Sequence, residues 1–278
     1  MQKFNLNLGG GASSRLKAFT LAEVLITLAI IGVVAALTIP SVISNYKKTE
    51  IETGIKKSFS TISTAFNMAV KDYGPSYTWV VDGSYTNVSS SLSEAYFDKF
   101  IVPYLKIAKQ CGKSTETECT YDILALGGGE FDYSSEGAEK DHFARYYLTD
   151  GTSITAYMTM LNGAPSQMQL YVDVNGWKKP NQMGIDIQFF TFRVSKKTSD
   201  DSNKFGYQIY TSGKSEQLQN ITDQQRGCYK PDSPTNGIYG SFCATLLKRN
   251  GWKIPSVDEY VQMAGGDESY RAKYPWNF

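Results

Sequence analysis

The chain has one histidine in 278 residues, His142. Imidazole catalysis of a Ser-His-Asp or Cys-His kind would rest wholly on it. It lies in the charged stretch Glu139-Lys140-Asp141-His142, which reads as a solvent-exposed loop or helix end. An excess of positive charge is also missing. Lys and Arg number 28 against 27 Asp and Glu, so no general affinity for nucleic acid is expected. Only four cysteines occur, none in a Cys-x-x-Cys spacing, and no His/Cys cluster offers a zinc site. The triplet Gly9-Gly10-Gly11 lacks the Lys-Ser/Thr of a phosphate loop, and Asp200-Asp201 sits in a polar loop that needs no catalytic role. These absences leave no reason to expect an enzyme.

What the chain does have is a long apolar run near its start. From Phe19 to Ile39 the only charged residue is Glu23. About 20 apolar residues span a bilayer core as a helix, the form that satisfies its own backbone in hydrocarbon. A carboxylate inside such a run is costly and marks a function. Lys3, Arg15 and Lys17 precede the run with no acid among them, which keeps that end cytoplasmic. A secretory signal peptide would have a shorter apolar core followed by an Ala-x-Ala site, and none follows Pro40. A plain signal anchor explains the apolarity and the basic residues, but not Glu23.

The string Lys17-Ala18-Phe19-Thr20-Leu21-Ala22-Glu23, with its apolar continuation, resembles the N-terminus of type IV prepilins and type II secretion pseudopilins. The resemblance covers about 55 residues, through Tyr73. It implies a leader over 1–18, cleavage between Ala18 and Phe19 by a prepilin peptidase, and methylation of the new amine. Ala18 stands where the family usually has Gly. Glu23 then becomes the fifth mature residue, an assembly residue that would meet the Phe19 amine of a neighbouring subunit. Pro40 falls where many pilins carry a helix-bending proline. The partners implied are the peptidase/methyltransferase, other pilin or pseudopilin subunits in a filament, an inner-membrane assembly platform, and membrane lipid before assembly. The location implied is a single pass through the inner membrane, leader cytoplasmic and head extracytoplasmic.

Beyond Pro40 the pattern becomes amphipathic. Apolar residues recur at Ile51, Ile55, Phe59, Ile62, Phe66, Val70 and Tyr73, in steps of three or four, until Gly74-Pro75. Residues 19–39 are expected as the transmembrane and assembly helix, 40–74 as its continuation into the head, and 75–278 as the globular head. One helix from Phe19 to Tyr73 would be about 80 Å long. Leu92–Ala108 reads as a second helix broken near Pro103. From Arg145 the pattern turns to β-hairpins: Asp150-Gly151 as a type I′ turn, strands near Ser153–Met160, Gln167–Val174 and Ile185–Val194, and a last strand from Phe205 to Tyr210. Ser241–Asn250 reads as a helix stopped by Gly251. The fold class expected is α+β and pilin-like, the long helix packed on an antiparallel sheet.

Four cysteines outside the cytoplasm suggest disulfides. Of three connectivities, Cys111–Cys119 with Cys228–Cys243 is favoured, because each closes a short polar loop. The most distinctive head segment runs from Asp173 through Asn175 and Pro180 to Asp186. Main-subunit pseudopilin heads often carry a similar run. Asp173, Asn175 and Asp186 could supply the oxygens that Ca²⁺ demands, although the spacing is not that of an EF-hand loop. The alternative is a hairpin whose Asn and Asp side chains bond their own backbone. The function expected is a structural filament subunit, with a filament-tip binding subunit (an adhesin or DNA-uptake receptor) as the alternative.

Overall fold

The computed structural model describes residues 20–81, 87–113, 119, 122–132, 142–161, 163–176, 178–194, 210–211, 217–234 and 236–278. The leader, Ala18, Phe19, Asp200-Asp201 and most of the strand expected from Phe205 lie outside the described residues. Helix α1 (Leu21–Tyr73) runs unbroken for 53 residues with Pro40 inside it. The chain divides into two compact units, residues 1–45 and 46–278.

In the larger unit the stripe on α1 does what its spacing demands. Ile51, Ile55, Ile62, Ala65, Phe66 and Ala69 are all buried. Fully burying one such Phe stabilises by roughly 1.5–3 kcal/mol. Of the rest of the expected stripe, Phe59 and Val70 are partly buried against the same core, and Tyr73 stays half-exposed with its ring against Phe100, centroids 5.1 Å apart. Gly54 weakens the helix locally by about 1 kcal/mol. A Cβ there would come within 2.9 Å of the Val174 Cβ, so glycine lets α1 approach the end of the sheet.

Helix α2 (Ser90–Phe100) is capped by the Ser89 hydroxyl, which accepts from the Leu92 N–H at 3.1 Å. The expected second helix is corrected here. It starts earlier and stops at Phe100; Pro103 lies in a 3-10 turn (Val102–Tyr104), and Ile107–Ala108 opens a strand instead. Proline blocks helical continuation, and pairing with the sheet then claims the chain beyond it.

The sheet is an antiparallel meander in sequence order: β1 (Ile107–Lys113), β2 (Ala144–Leu148), β3 (Ser153–Leu161), β4 (Ala164–Asp173), β5 (Ile187–Arg193) and the two-residue β6 (Tyr210–Thr211). The β2–β3 turn is not type I′. Only Gly151 has positive φ (+89°), and Leu148 N–H bonds the Thr152 carbonyl at 2.9 Å across a three-residue connection. One sheet face (Tyr146, Ile154, Met168, Leu170, Phe190, Phe192) joins the core around α1 and α2. The other (Phe143, Tyr157, Tyr171, Ile187, Phe189) packs on Ile123, Phe131, Met183 and Ile238. Both faces are therefore covered.

The C-terminal stretch adds α3 (Gln217–Thr222), α4 (Cys243–Arg249) and α5 (Val257–Met263). Disulfides join Cys111 to Cys119 and Cys228 to Cys243. Cys111 lies in β1, not in a loop, while Cys228 and Cys243 are fully buried.

Candidate functional site

The residues singled out from sequence gather in two places. The first is the start of α1. Thr20 and Glu23 form a reciprocal cap: the Glu23 carboxylate Oε2 accepts from the Thr20 backbone N–H at 2.8 Å and from its hydroxyl at 2.9 Å, and the Glu23 N–H donates to Thr20 Oγ1 at 3.2 Å. This satisfies two of the orphan donors at a helix start. The hydroxyls of Thr27 and Thr38 bond the Val24 and Val34 carbonyls, both at 2.9 Å, so they present no unpaired polar group to an apolar surround. The side chains between are exposed: Leu21 is 79 % exposed, Ile31 63 % and Leu37 75 %. Among the described residues this is the one helix long and apolar enough to cross a membrane.

The second place is the loop joining β4 to β5. Asp173 and Asp186 are both fully buried. Asp173 Oδ1 accepts the N–H groups of Asn175 and Gly176 at 3.0 and 2.9 Å. Asp186 accepts those of Asn181 and Gln182 at 3.0 and 2.7 Å. Burial pushes the Asp186 carboxyl above the usual range, against the opposing pull of those N–H groups and of the Asn175 amide. The structure thus brings Asp173, Asn175 and Asp186 into one loop. With their nitrogens turned inward, Asn175 donates to Asp173 Oδ1 at 2.7 Å and to the Lys178 carbonyl at 3.1 Å; Asn181 donates to the Gly176 and Lys178 carbonyls at 3.2 and 2.9 Å. Among the described residues no three His, Cys, Asp or Glu side chains converge on one point, so a metal here would need amide and carbonyl oxygens as well.

This loop is also pinned from outside. Gln182 Nε2 donates to the Ala125 and Leu126 carbonyls, and the Trp276 indole N–H donates to the Gly184 carbonyl at 2.9 Å. A Cβ on Gly184, at φ +79°, would sit 2.5 Å from Cys243 Sγ. The loop and the second disulfide therefore share one packed layer.

His142 is half-buried and not solvent-exposed as expected; its carbonyl accepts the Ser93 hydroxyl at 3.0 Å. Sequence reasoning missed two buried charges. Glu52 is 7 % exposed and takes Ile254 N–H and Lys253 Nζ at 2.9 and 2.8 Å. Its signal was its place beside Ile51 and three residues before Ile55, on the edge of the apolar stripe. Arg145, 2 % exposed, donates to Thr155 Oγ1 at 2.9 Å and to the Cys119 carbonyl. Alternation in a strand gave no sign that its polar face would be covered.

An apolar N-terminal helix leading into a head with an antiparallel sheet is the α+β, type IV pilin-like architecture. Residues 14–39 match the prokaryotic N-terminal methylation motif, the prepilin-type cleavage and methylation segment, which marks a pilin- or pseudopilin-like subunit. The chain belongs to a family of unknown function (DUF6613), whose model matches residues 41–260. No curated protein and no solved structure matches the chain.

Proposed function

We propose that the protein is a structural subunit of a type IV pilus or of a type II secretion pseudopilus. A prepilin peptidase removes the leader between Ala18 and Phe19 and methylates the new amine. The helix then anchors the subunit in the inner membrane, head outside, until the assembly platform stacks it against other subunits. The observation that carries this reading is the wholly exposed apolar stretch of α1 with a single carboxylate, Glu23, in its first turn. A helix with that surface needs lipid or other copies of itself around it. Intact mass of the membrane-extracted protein tests processing: a chain still starting at Met1 in a peptidase-competent strain rejects it. Electron microscopy of a deletion strain tests the role. Lost filaments support a structural subunit, whereas intact filaments with lost adhesion or DNA uptake support the tip-binding alternative.

We further propose that the β4–β5 loop binds Ca²⁺. Asp173 and Asp186 offer the oxygens that a hard cation takes, and Asn175 would add its own only with its amide turned over. Turning the Asn175 and Asn181 amides over would aim two more oxygens at Asp173 and the loop carbonyls, an arrangement that repels unless a cation neutralises it.

A further inference from the structure

A cavity of about 650 Å³ opens in the head beside the β4–β5 loop, within the range of small-molecule sites. Its charge is one-sided. Lys47, Lys178, Lys179 and Lys230 line it, against Glu50 as the one acidic side chain among the described residues and the backbone end at Phe278, in a chain whose net charge is +1. Among the described residues none of these four lysines has a carboxylate within ion-pair distance. Four ammonium groups around one opening favour an anion between them.

The cavity is built before any ligand arrives. Lys178 and Lys179 stand on the loop whose next residues, Asn181 and Gln182, are held by the buried Asp186 carboxylate. Lys47 stands on α1, and Lys230 is tied through its backbone N–H to the Lys273 carbonyl at 2.9 Å. A ligand therefore has little loop ordering to impose. Ile51, Pro180 and Ile185 supply apolar wall, and Asn175 and Gln182 supply amides. That lining suits an anionic oxygen group carried on an uncharged body.

Connectivity says where such a group comes from. Lys47 follows Ile39, the last residue of the apolar run, by eight positions. Even fully extended, eight residues reach at most ~28 Å, so an anchored chain tethers Lys47 within that reach of the bilayer. Tyr46, also in the lining, is a residue type that favours the headgroup layer. We infer that this cavity binds the phosphate of an anionic phospholipid headgroup while the subunit waits in the membrane. The cavity's preference for a phosphate stands on its own lining; the lipid as source rests on the membrane-anchored reading above.

The test uses the purified full chain in detergent, titrated with short-chain phosphatidylglycerol, phosphatidylcholine or inorganic phosphate and read by native mass spectrometry. Phosphatidylglycerol should bind at least tenfold tighter than phosphatidylcholine. A Lys178→Gln, Lys179→Gln double variant should weaken it about 25-fold, at roughly fivefold per lysine near an anionic surface. Lys47→Gln with Lys230→Gln should do the same, and Lys56→Gln with Lys71→Gln, off the cavity, should change nothing. Thermal melting confirms that each variant folds. Equal binding of both lipids, or wild-type affinity in both cavity variants, overturns the inference. Phosphate binding as tight as phosphatidylglycerol, lost in the same variants, overturns the headgroup as source. Alkaline extraction of native membranes separates the two layers of the argument. A chain that stays in the membrane yet ignores phosphatidylglycerol sinks only the cavity inference, whereas a chain that washes off sinks the anchored reading.

Discussion

Glu52 on α1 reaches across to a segment 201 residues later in sequence, where its carboxylate takes the Lys253 ammonium at 2.8 Å and the Ile254 N–H at 2.9 Å. The lysine end is 70 % exposed, so the ion pair itself is worth little, but the Ile254 amide is buried and depends on this acceptor. Glu52→Ala should destabilise the head by ~1–3 kcal/mol, the cost of an orphaned buried donor. Glu52→Gln keeps an acceptor oxygen and should cost less than half as much. Chemical denaturation of the two variants checks this, and equal losses would show that charge, not the amide, matters.

Glu23 is expected to act twice: within the chain it caps Thr20, and between chains it is proposed to pair with a neighbour's Phe19 amine. Glutamine at the same place can still serve a capping box, whereas alanine cannot. If pairing of charges drives assembly, Glu23→Gln and Glu23→Ala should both insert normally and both lose most filament, since an unpaired charge in a low-dielectric core is costly. Filament yield by shearing and immunoblot, beside membrane fractionation, is the measurement. Wild-type yield from Glu23→Gln would reduce Glu23 to a helix cap.

Much of this architecture is written locally. The apolar run, the three-and-four stripe from Ile51 to Phe66 and the alternation in β3 and β4 each follow from one element's own surface. What escaped depends on distant partners. Ile107 and Ala108 look helical beside Tyr104 and Leu105, and only the register with β2, Ile107 opposite Leu148, makes them a strand. Arg145, Thr155 and Asp173 are buried polar residues of the strands; the cover over their face comes from residues 123–131 and 238, which have no periodic pattern of their own. At the candidate site the motif types were legible, as was the stretch holding Asp173 and Asp186. That Asp186 folds back onto Asn181 and Gln182, and that four lysines from three segments share one cavity, was not.

The turn between β2 and β3 should respond to acid. Burial alone would raise the Asp150 carboxyl, but Lys57 at 2.8 Å and the Thr152 N–H at 3.0 Å outweigh it and hold it below its usual value. A carboxyl lowered by folding adds stability that is present above its unfolded pKa, ~3.9, and is lost as pH falls through the lower folded value. Asp150→Asn should thus be slightly less stable than wild type at pH 7, by at most ~1 kcal/mol for a partly exposed pair. The gap should narrow as pH falls from ~3.9 through the lower folded value, because the wild-type carboxyl then takes up a proton too. Urea melts at pH 7 and at a series of more acid pH values would show this; a gap that stays constant across the series would assign the effect to shape.

Calcium should stiffen the β4–β5 loop if the amides of Asn175 and Asn181 turn over to meet it. Because Asp173 anchors the N–H groups of Asn175 and Gly176 while Asp186 anchors those of Asn181 and Gln182, a cation between them would tie the two ends of the loop together. At a hundredfold excess over its dissociation constant, a ligand of the folded state adds ~2.7 kcal/mol. At ~2–4 °C per kcal/mol for a domain this size, the full chain in detergent should melt about 5–10 °C higher in millimolar Ca²⁺ than in EDTA. Since burial holds the Asp186 carboxyl above the usual range, protons should compete early, and the shift should be smaller at pH 5 than at pH 7.5. Asp173→Asn should abolish the shift while leaving the EDTA melting temperature within a few degrees of wild type. A wild-type melting temperature indifferent to Ca²⁺, or an equal shift in Asp173→Asn, would leave the loop as a hairpin held by its own amides.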